Sequence, residues 1–346
     1  MSRLAVLLSL FYITSCTTGA RLRVMKPADI TISQNIQTLI LVNRHRPDPN
    51  KKGNTFINIL EGFLTGEGIG SDRRGADACI DGLSRVLYNS PRFGAHRPSI
   101  ELKGTGLATF PEPLPIEVIQ RICASQDSVD GLVTIEAFDS DSKLSFSTSS
   151  KKKKDKDGRE YTVVTHKVLA NLQVTVGWRF YDAYNGNIID QFRMNETIAF
   201  RAKGTSKQQA IMNLPSQDAI IQRAGRIIGD AYARRISPAS LWVQRKFYSG
   251  GCPEFRIAKR HADLREWETS ADIWKQLVDH PKLRIAKRAT YNMALACEIF
   301  GDLDSAADWA SKSYTMGNNE ARSYHNILLR RIREEARLAD QLQETE

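Results

Sequence analysis

The stretch Val168-Leu169-Ala170-Asn171-Leu172-Gln173-Val174-Thr175-Val176-Gly177-Trp178-Arg179-Phe180 decides the fold. Val168, Ala170, Leu172, Val174, Val176, Trp178 and Phe180 fall on one face. Asn171, Gln173, Thr175 and Arg179 fall on the other, where Leu169 is the one large apolar exception. Successive side chains of a strand point to opposite faces, so thirteen residues of this pattern predict a half-buried antiparallel strand. Asn185-Gly186 follows, a dipeptide that suits a tight hairpin turn. The chain then predicts a returning strand from Ile188 to about Phe200, with Phe192, Met194, Ile198 and Phe200 on one face and Glu196 interrupting it.

Upstream of this meander, Leu39-Ile40-Leu41-Val42 is a continuous apolar run that predicts a buried central strand. Asn43, Arg44, His45, Arg46, Pro47 and Asp48 follow it, at the strand end where α/β sheets place ligands, although a polar turn with Pro is the reading preferred over a binding site. Phe56–Leu64 is apolar enough for a short strand or a helical turn. Gly66-Glu67-Gly68-Ile69-Gly70-Ser71 precedes a helix, but it lacks both the Gly-Lys-Ser/Thr of a P-loop and the dinucleotide spacing, so it predicts a tight turn. Ala76, Ile80, Leu83, Val86 and Leu87 recur at helical spacing and predict an amphipathic helix over 72–89. Ile100 and Leu102 suggest a short strand. Pro111, Pro113 and Pro115 mark a break, and Ile116–Cys123 predicts a second helix. Leu132–Ala137 predicts a strand continuing near Leu144 and Phe146, followed by a solvated loop at Lys151-Lys152-Lys153-Lys154.

Downstream, Ile220, Ile221, Ala224, Ile227, Ile228 and Ala231 form the stripe of a helix that begins near Gln208 or Gln217, reaches Ile236 and is stopped by Ser237-Pro238. Trp242–Tyr248 has strand content and is expected to return to the sheet edge. From Cys252 the period becomes helical. Arg265-Glu266-Trp267-Glu268-Thr269-Ser270-Ala271 aligns with Gly301-Asp302-Leu303-Asp304-Ser305-Ala306-Ala307 at an offset of 36, close to the roughly 34-residue tetratricopeptide period. The pair resembles the turn and second-helix start of such repeats. Gly301 stands at the turn, Arg265 replaces it in the first copy, and Ser270 stands where Ala is usual. Glu320–Gln343 predicts a last helix with Tyr324, Ile327, Leu328, Ile332 and Leu338 as its seam.

The first residues carry a different signal. Arg3 and the apolar run Leu4–Ile13 make a secretory n-region and h-region too short to span a bilayer. Ile13-Thr14-Ser15-Cys16 resembles a bacterial lipobox. That resemblance implies cleavage before Cys16, lipidation of Cys16 by a diacylglyceryl thioether plus an amide-linked chain, and a mature protein tethered to a membrane. Thr17 instead of Asp at the next position implies the outer membrane. No acidic cluster follows, so the protein is expected to face the periplasm. The expected organisation is a signal peptide over 1–15, a lipidated tether over 16–30, an α/β domain over 31–248 and a tetratricopeptide-like helical domain over 249–343. The fold class is therefore α+β, a mixed sheet with helices and an antiparallel meander, followed by all-α helical hairpins.

The net charge is +10, but the basic residues are dispersed, and an exported protein meets lipid head groups and wall polymers rather than nucleic acid, so no nucleic-acid partner is expected. With Cys16 lipidated, Cys79, Cys123, Cys252 and Cys297 remain. Their wide spacing without CxxC argues against a metal site. Cys79 and Cys297 fall on apolar helix faces and read as buried thiols, while an oxidising compartment permits a pair such as Cys252–Cys297. His45, His96, His166, His261, His280 and His325 are scattered, with no HExxH and no triad spacing. No catalytic or cofactor-binding residue and no cofactor is predicted; the one modification site is Cys16.

The strand–helix–strand–helix order, the meander holding Trp178–Ile189, the following helix, and Leu83–Leu87 with Ser90-Pro91-Arg92-Phe93 are together similar to the periplasmic α/β domain of the curli-export channel lipoprotein and of relatives of the Tol propeller protein's N-terminal domain, over about residues 35–236. The whole chain looks closer to bacterial lipoproteins that add helical repeats at the C-terminus. The resemblance brings no catalytic residues. Its implication is a membrane-anchored scaffold that binds a protein partner through 249–343 and could form homo-oligomers. The alternatives are a subunit of an oligomeric outer-membrane export channel and an enzyme with a site assembled from distant residues.

Overall fold

The computed structural model describes residues 17–45, 71–98, 100, 102, 109–126 and 128–342. Cys16, the preceding signal stretch, Arg46–Asp48, Phe56–Leu64 and Gly66–Gly70 lie outside the described residues. In chain order the elements are β1 (Thr17–Lys26), β2 (Thr38–Asn43), α1 (Ser71–Tyr88), β3 (Gly94–His96), α2 (Ile116–Cys123), β4 (Gly131–Lys154), β5 (Glu160–Asp182) and β6 (Ile188–Gly204). There follow α3 (Lys207–Met212), α4 (Gln217–Ile236), β7 (Ala239–Tyr248), α5 (Pro253–Asp263), α6 (Trp267–Gln276), α7 (Leu283–Phe300), α8 (Leu303–Thr315) and α9 (Asn319–Leu342). The architecture is mixed α+β with C-terminal helices. The chain divides into two compact units. One comprises residues through Lys26 with Ser240–Asp340, the other Pro27–Ala239 with the end of α9.

The Pro27–Ala239 unit is built on a five-stranded sheet of order β3-β2-β4-β5-β6. β2 pairs in parallel with β3 and β4, and β4–β5–β6 is the antiparallel meander. The alternating stretch is the core of β5, and its apolar face from Val168 to Phe180 is buried. Alternation gives way near Gly177, after which both faces are buried, because α2 residues Ile119, Ile122 and Cys123 cover Tyr181 from the other side. On the first face Leu39, Leu41, Val133 and the β5 row pack on α1 and α4. Trp178 stacks on Tyr232 of α4 with ring centroids 4.4 Å apart. The two helices cross with their backbones in contact: a Cβ added at Gly225 would press on the Gly75 carbonyl, and one at Gly229 on the Cys79 carbonyl. Small residues at a crossing permit this separation.

Several expectations are corrected. Ile100 and Leu102 are not a strand; the short strand is Gly94–His96, and the two apolar residues pack onto the α2 cluster instead. Lys151–Lys154 are not a loop. They end β4, in register with Glu160–Val163 of β5, and the turn lies beyond them at Asp155–Arg159. A solvated lysine run and an exposed strand end look alike in composition, and cross-strand pairing decides between them. β7 does not return to the main sheet; it pairs with β1 in a separate two-stranded ribbon. Within the tether expected over 16–30, Thr17–Lys26 is an ordered strand, and by contacts the compact units divide after Ala239. Cys79, Cys123, Cys252 and Cys297 are all free, and Cys297 is only half-buried.

In the other unit, Ala20, Leu22 and Val24 of β1 and Phe247 of β7 pack on the helical core around Phe255, Trp274 and Leu295. α5 packs on α6, α6 on α7 and α7 on α8. The 36-residue offset is visible in the backbone. α6 starts at Trp267 and α8 at Leu303, and each is preceded by a left-handed residue, Arg265 at φ 65° and Gly301 at φ 84°.

Candidate functional site

Two buried ionic clusters organise the two units, and one of them borders a groove. The first lies past the C-terminal end of β2. The β4–β5 register slips between Ile135 and Ala137, which sets Glu136 as the extra residue of a bulge. Its carboxylate is buried. It accepts hydrogen bonds from Arg44 Nη1 at 2.9 Å, Thr134 Oγ1 at 2.7 Å and Tyr181 Oη at 3.0 Å, with Arg179 Nη1 at 3.8 Å. Arg44 and Arg179 also donate to the carbonyls of Glu112 and Pro111. The cluster thus clamps the proline-rich segment to the sheet. Burial followed by the Glu136 charge raises the Tyr181 hydroxyl above its ordinary value, so it stays protonated and donates. Sequence analysis singled out Arg44 and His45 only as possible ligand or turn residues. The structure uses Arg44 as an internal counter-ion and His45 Nδ1 as the acceptor of the Phe138 amide at 3.1 Å.

The second cluster is centred on Glu298 of α7. Arg245 of β7 forks onto both oxygens, Nε to Oε2 at 2.8 Å and Nη2 to Oε1 at 2.8 Å. Arg331 Nη1 of α9 donates to Oε1 at 2.7 Å and Tyr324 Oη to Oε2 at 2.6 Å. The Glu298 side chain is fully buried. Burial alone would push its carboxyl up; the Arg245 and Tyr324 hydrogen bonds, the Arg245 charge and the Arg331 hydrogen bond together hold it below the carboxylate range. Burial and the Glu298 charge push the Tyr324 hydroxyl well up. Beside the cluster, Tyr248 N donates to Asn292 Oδ1 and Asn292 Nδ2 to the Tyr248 carbonyl, both at 2.8 Å. These contacts lock β7, and through it β1, onto the helices.

A groove of about 460 Å³ opens beside the cluster. One wall is six consecutive residues of β1, Gly19–Val24; Trp242 and Trp267 supply aromatic surface over the buried Phe247, and Arg265 and Arg331 supply charge. β1 pairs only with β7, so its second edge meets no strand among the described residues. The residues next to the groove's Arg265 and Ile299 are Leu264 and Phe300, related by the 36-residue offset and 71% and 51% exposed.

His45, His96 and His166 lie in the sheet unit and His261, His280 and His325 in the helical unit. Among the described residues no group of three or more His, Cys, Asp or Glu is placed to hold a metal, and no helix is long and apolar enough to cross a membrane. Sequence analysis missed Glu136, Glu298 and the β1 edge. The available signals were weak: Glu298 is an acid in an otherwise apolar stretch of helix, and Glu136 is an acid inside an apolar strand.

The fold is thus a mixed-sheet unit and a helical unit that carries a two-stranded ribbon. The chain belongs to the family described as a domain of unknown function, DUF8603, whose model matches residues 36–248, and residues 256–334 match a second domain of unknown function, DUF6340. No curated protein matches it. Among solved structures the chain is similar to a neuraminyllactose-binding hemagglutinin homolog from Helicobacter pylori, at 13% identity over 61% of this chain and 88% of that chain, with a TM-score of 0.28.

Proposed function

We propose that this protein is a lipid-anchored envelope scaffold that faces the periplasm from the outer membrane and holds a partner protein through its helical unit. The anchor is Cys16, on the strength of Ile13-Thr14-Ser15-Cys16. The helices act as tetratricopeptide-like hairpins, supported by the 36-residue offset between the α6 and α8 starts and the left-handed residue before each. The observation that carries the reading is the groove beside β1. An open strand edge offers main-chain donors and acceptors to an extended peptide, while Trp267, only partly buried, offers an apolar anchor.

The export-channel reading has less support. A membrane-crossing strand presents an apolar band on one face. The far half of the β4–β5 hairpin instead carries Ser147, Thr148, Ser149, Ser150 and four lysines; their partners Glu160, Thr162, Thr165, His166 and Lys167 are polar, and Tyr161, Val163 and Val164 are divided between the two faces, so neither face is a continuous apolar band. The test is site-specific photo-crosslinking of the membrane-extracted full chain, with the probe at Trp267 in the groove and at exposed Tyr88 as control. One envelope protein captured from position 267 and not from 88 supports the scaffold. Capture from 88 alone refutes the groove, and a ring of self-crosslinked copies shifts the reading to a channel subunit. Cys16→Ala is expected to leave an unprocessed or soluble form; a mature acylated product from that variant refutes the anchor.

A further inference from the structure

The outward face of the β1–β7 ribbon has a composition unlike the rest of the chain. Its twenty residues include five cations, Arg21, Arg23, Lys26, Arg245 and Lys246, and no Asp or Glu. Two of the cations are used inside the unit: Lys26 pairs with Glu334 and Arg245 with Glu298. The other three are exposed, and Arg21 and Arg23 also lie along the rim of the groove beside β1. In β1, Ala20, Leu22 and Val24 are buried while Arg21 and Arg23 are exposed; in β7, Trp242, Gln244 and Lys246 are exposed and Phe247 is buried. Trp242, 59% exposed, lies under the Arg21 guanidinium at 5.4 Å, so both strands' outward rows share one surface.

From this we infer that the ribbon's outer face seats on the anionic lipid head groups of the leaflet that holds the anchor. The inference rests on the lipobox reading for its placement: Thr17, the first residue of β1, directly follows Cys16, and neighbouring Cα atoms are about 3.8 Å apart. An acylated Cys16 therefore keeps Arg21 within about 17 Å and Arg23 within about 24 Å of the bilayer surface in a fully extended chain, and closer when the ribbon lies along the surface. Basic side chains within a Debye length of an anionic surface are attracted to it, and an amphipathic Trp settles at the head-group level. A second copy of the chain is the less suitable occupant, since two such faces carry the same sign of charge.

The test uses the chain from Cys16 onward, both units intact, made where no acylation occurs. Its binding to vesicles of phosphatidylcholine with about one-third phosphatidylglycerol is compared with binding to phosphatidylcholine alone by co-sedimentation. Each basic residue near such a surface contributes roughly fivefold in partition. The combined Arg21→Gln, Arg23→Gln, Lys246→Gln variant should therefore lose about a hundredfold. Replacing Lys151–Lys154 by Gln should leave binding within about twofold. Equal binding of the ribbon variant and the parent overturns the inference, as does loss of binding only in the Lys151–Lys154 variant. Equal binding to neutral vesicles also overturns it. Intact-mass measurement of the protein from its envelope reads Cys16 acylation separately. Anionic-vesicle binding without acylation keeps the face and removes the anchor; acylation without vesicle binding removes the face.

Discussion

Replacing Glu298 by Ala tests whether its cluster holds the ribbon to the helices. The variant leaves Arg245 and Arg331 facing one another, each with a side chain only 11–12% exposed, and strands the Tyr324 hydroxyl. Removing one partner of a buried ion pair costs about 3–5 kcal/mol, most of it the burden of the charges left unpaired. At 1.4 kcal/mol per factor of ten this is roughly two to four orders of magnitude in the local opening constant. A chain of two units need not unfold in one step, so a single melting temperature averages the effect away. Hydrogen exchange read by peptide resolves it. Peptides from β7, α7 and α9 should lose protection by that factor, while those from β5 and α4 keep theirs. Glu298→Gln retains one oxygen acceptor and the shape, and should lose about half as much. The acid side has a definite sign. Glu298 sits below its ordinary value of 4.5 when folded, so the stability it contributes is complete above that value and is lost as the pH falls through the folded one. The Gln variant should lack that part of the acid decline. A loss of protection under tenfold in Glu298→Ala refutes the reasoning, since an uncompensated Arg245 beside Arg331, which keeps only Glu335 as a partner, would then cost no more than a surface pair.

Other outcomes follow from single contacts. Arg265 holds φ 65°, where an L side chain is strained by about 1–2 kcal/mol. Arg265→Gly should therefore raise the urea midpoint of the helical unit by the equivalent of about 0.5–1 kcal/mol, after the extra chain entropy that Gly brings. At the matching position Gly301→Ala should lower it by about 1 kcal/mol through conformation alone, since an added Cβ meets nothing within 4 Å. Gly229→Ala drives a Cβ into the Cys79 carbonyl of α1. It should cost at least about 2–3 kcal/mol in the sheet unit by denaturant titration, and it should spare the helical unit. In denaturant without reductant, Cys79, Cys123, Cys252 and Cys297 should react as four thiols, which mass spectrometry after alkylation counts directly.

Elements with a strong one-dimensional period were legible before the fold was. β5 could be read because one face of a half-buried strand alternates at every second residue, and α1 because a helix with one buried stripe repeats every three to four. The turn at Gly301 was legible because a left-handed cap selects Gly. The α1–α4 crossing was not. Gly82, Gly225 and Gly229 carry no periodic signal in the sequence, and only the crossing shows them as points where the two backbones touch. The candidate site was less legible still. Arg245, Glu298, Tyr324 and Arg331 come from three elements spread over 87 positions, and no local pattern links a carboxylate to the arginine that will neutralise it.

By itself the sequence determined the strand and helix inventory of the meander, the helical period of the C-terminal third and the lipobox-like stretch that ends at Cys16. Each depends on residues adjacent in the chain, where spacing is already geometry. Only the tertiary structure decided that Thr17–Lys26 is a strand and not a tether, that its partner is β7 over two hundred residues away, and that the pair leaves three cations and a tryptophan on one outward face. Strand pairing and charge neutralisation are contacts between residues remote in the chain. Their energy is realised only when the helices bury Leu22, Val24 and Phe247 and so bring the two strands together.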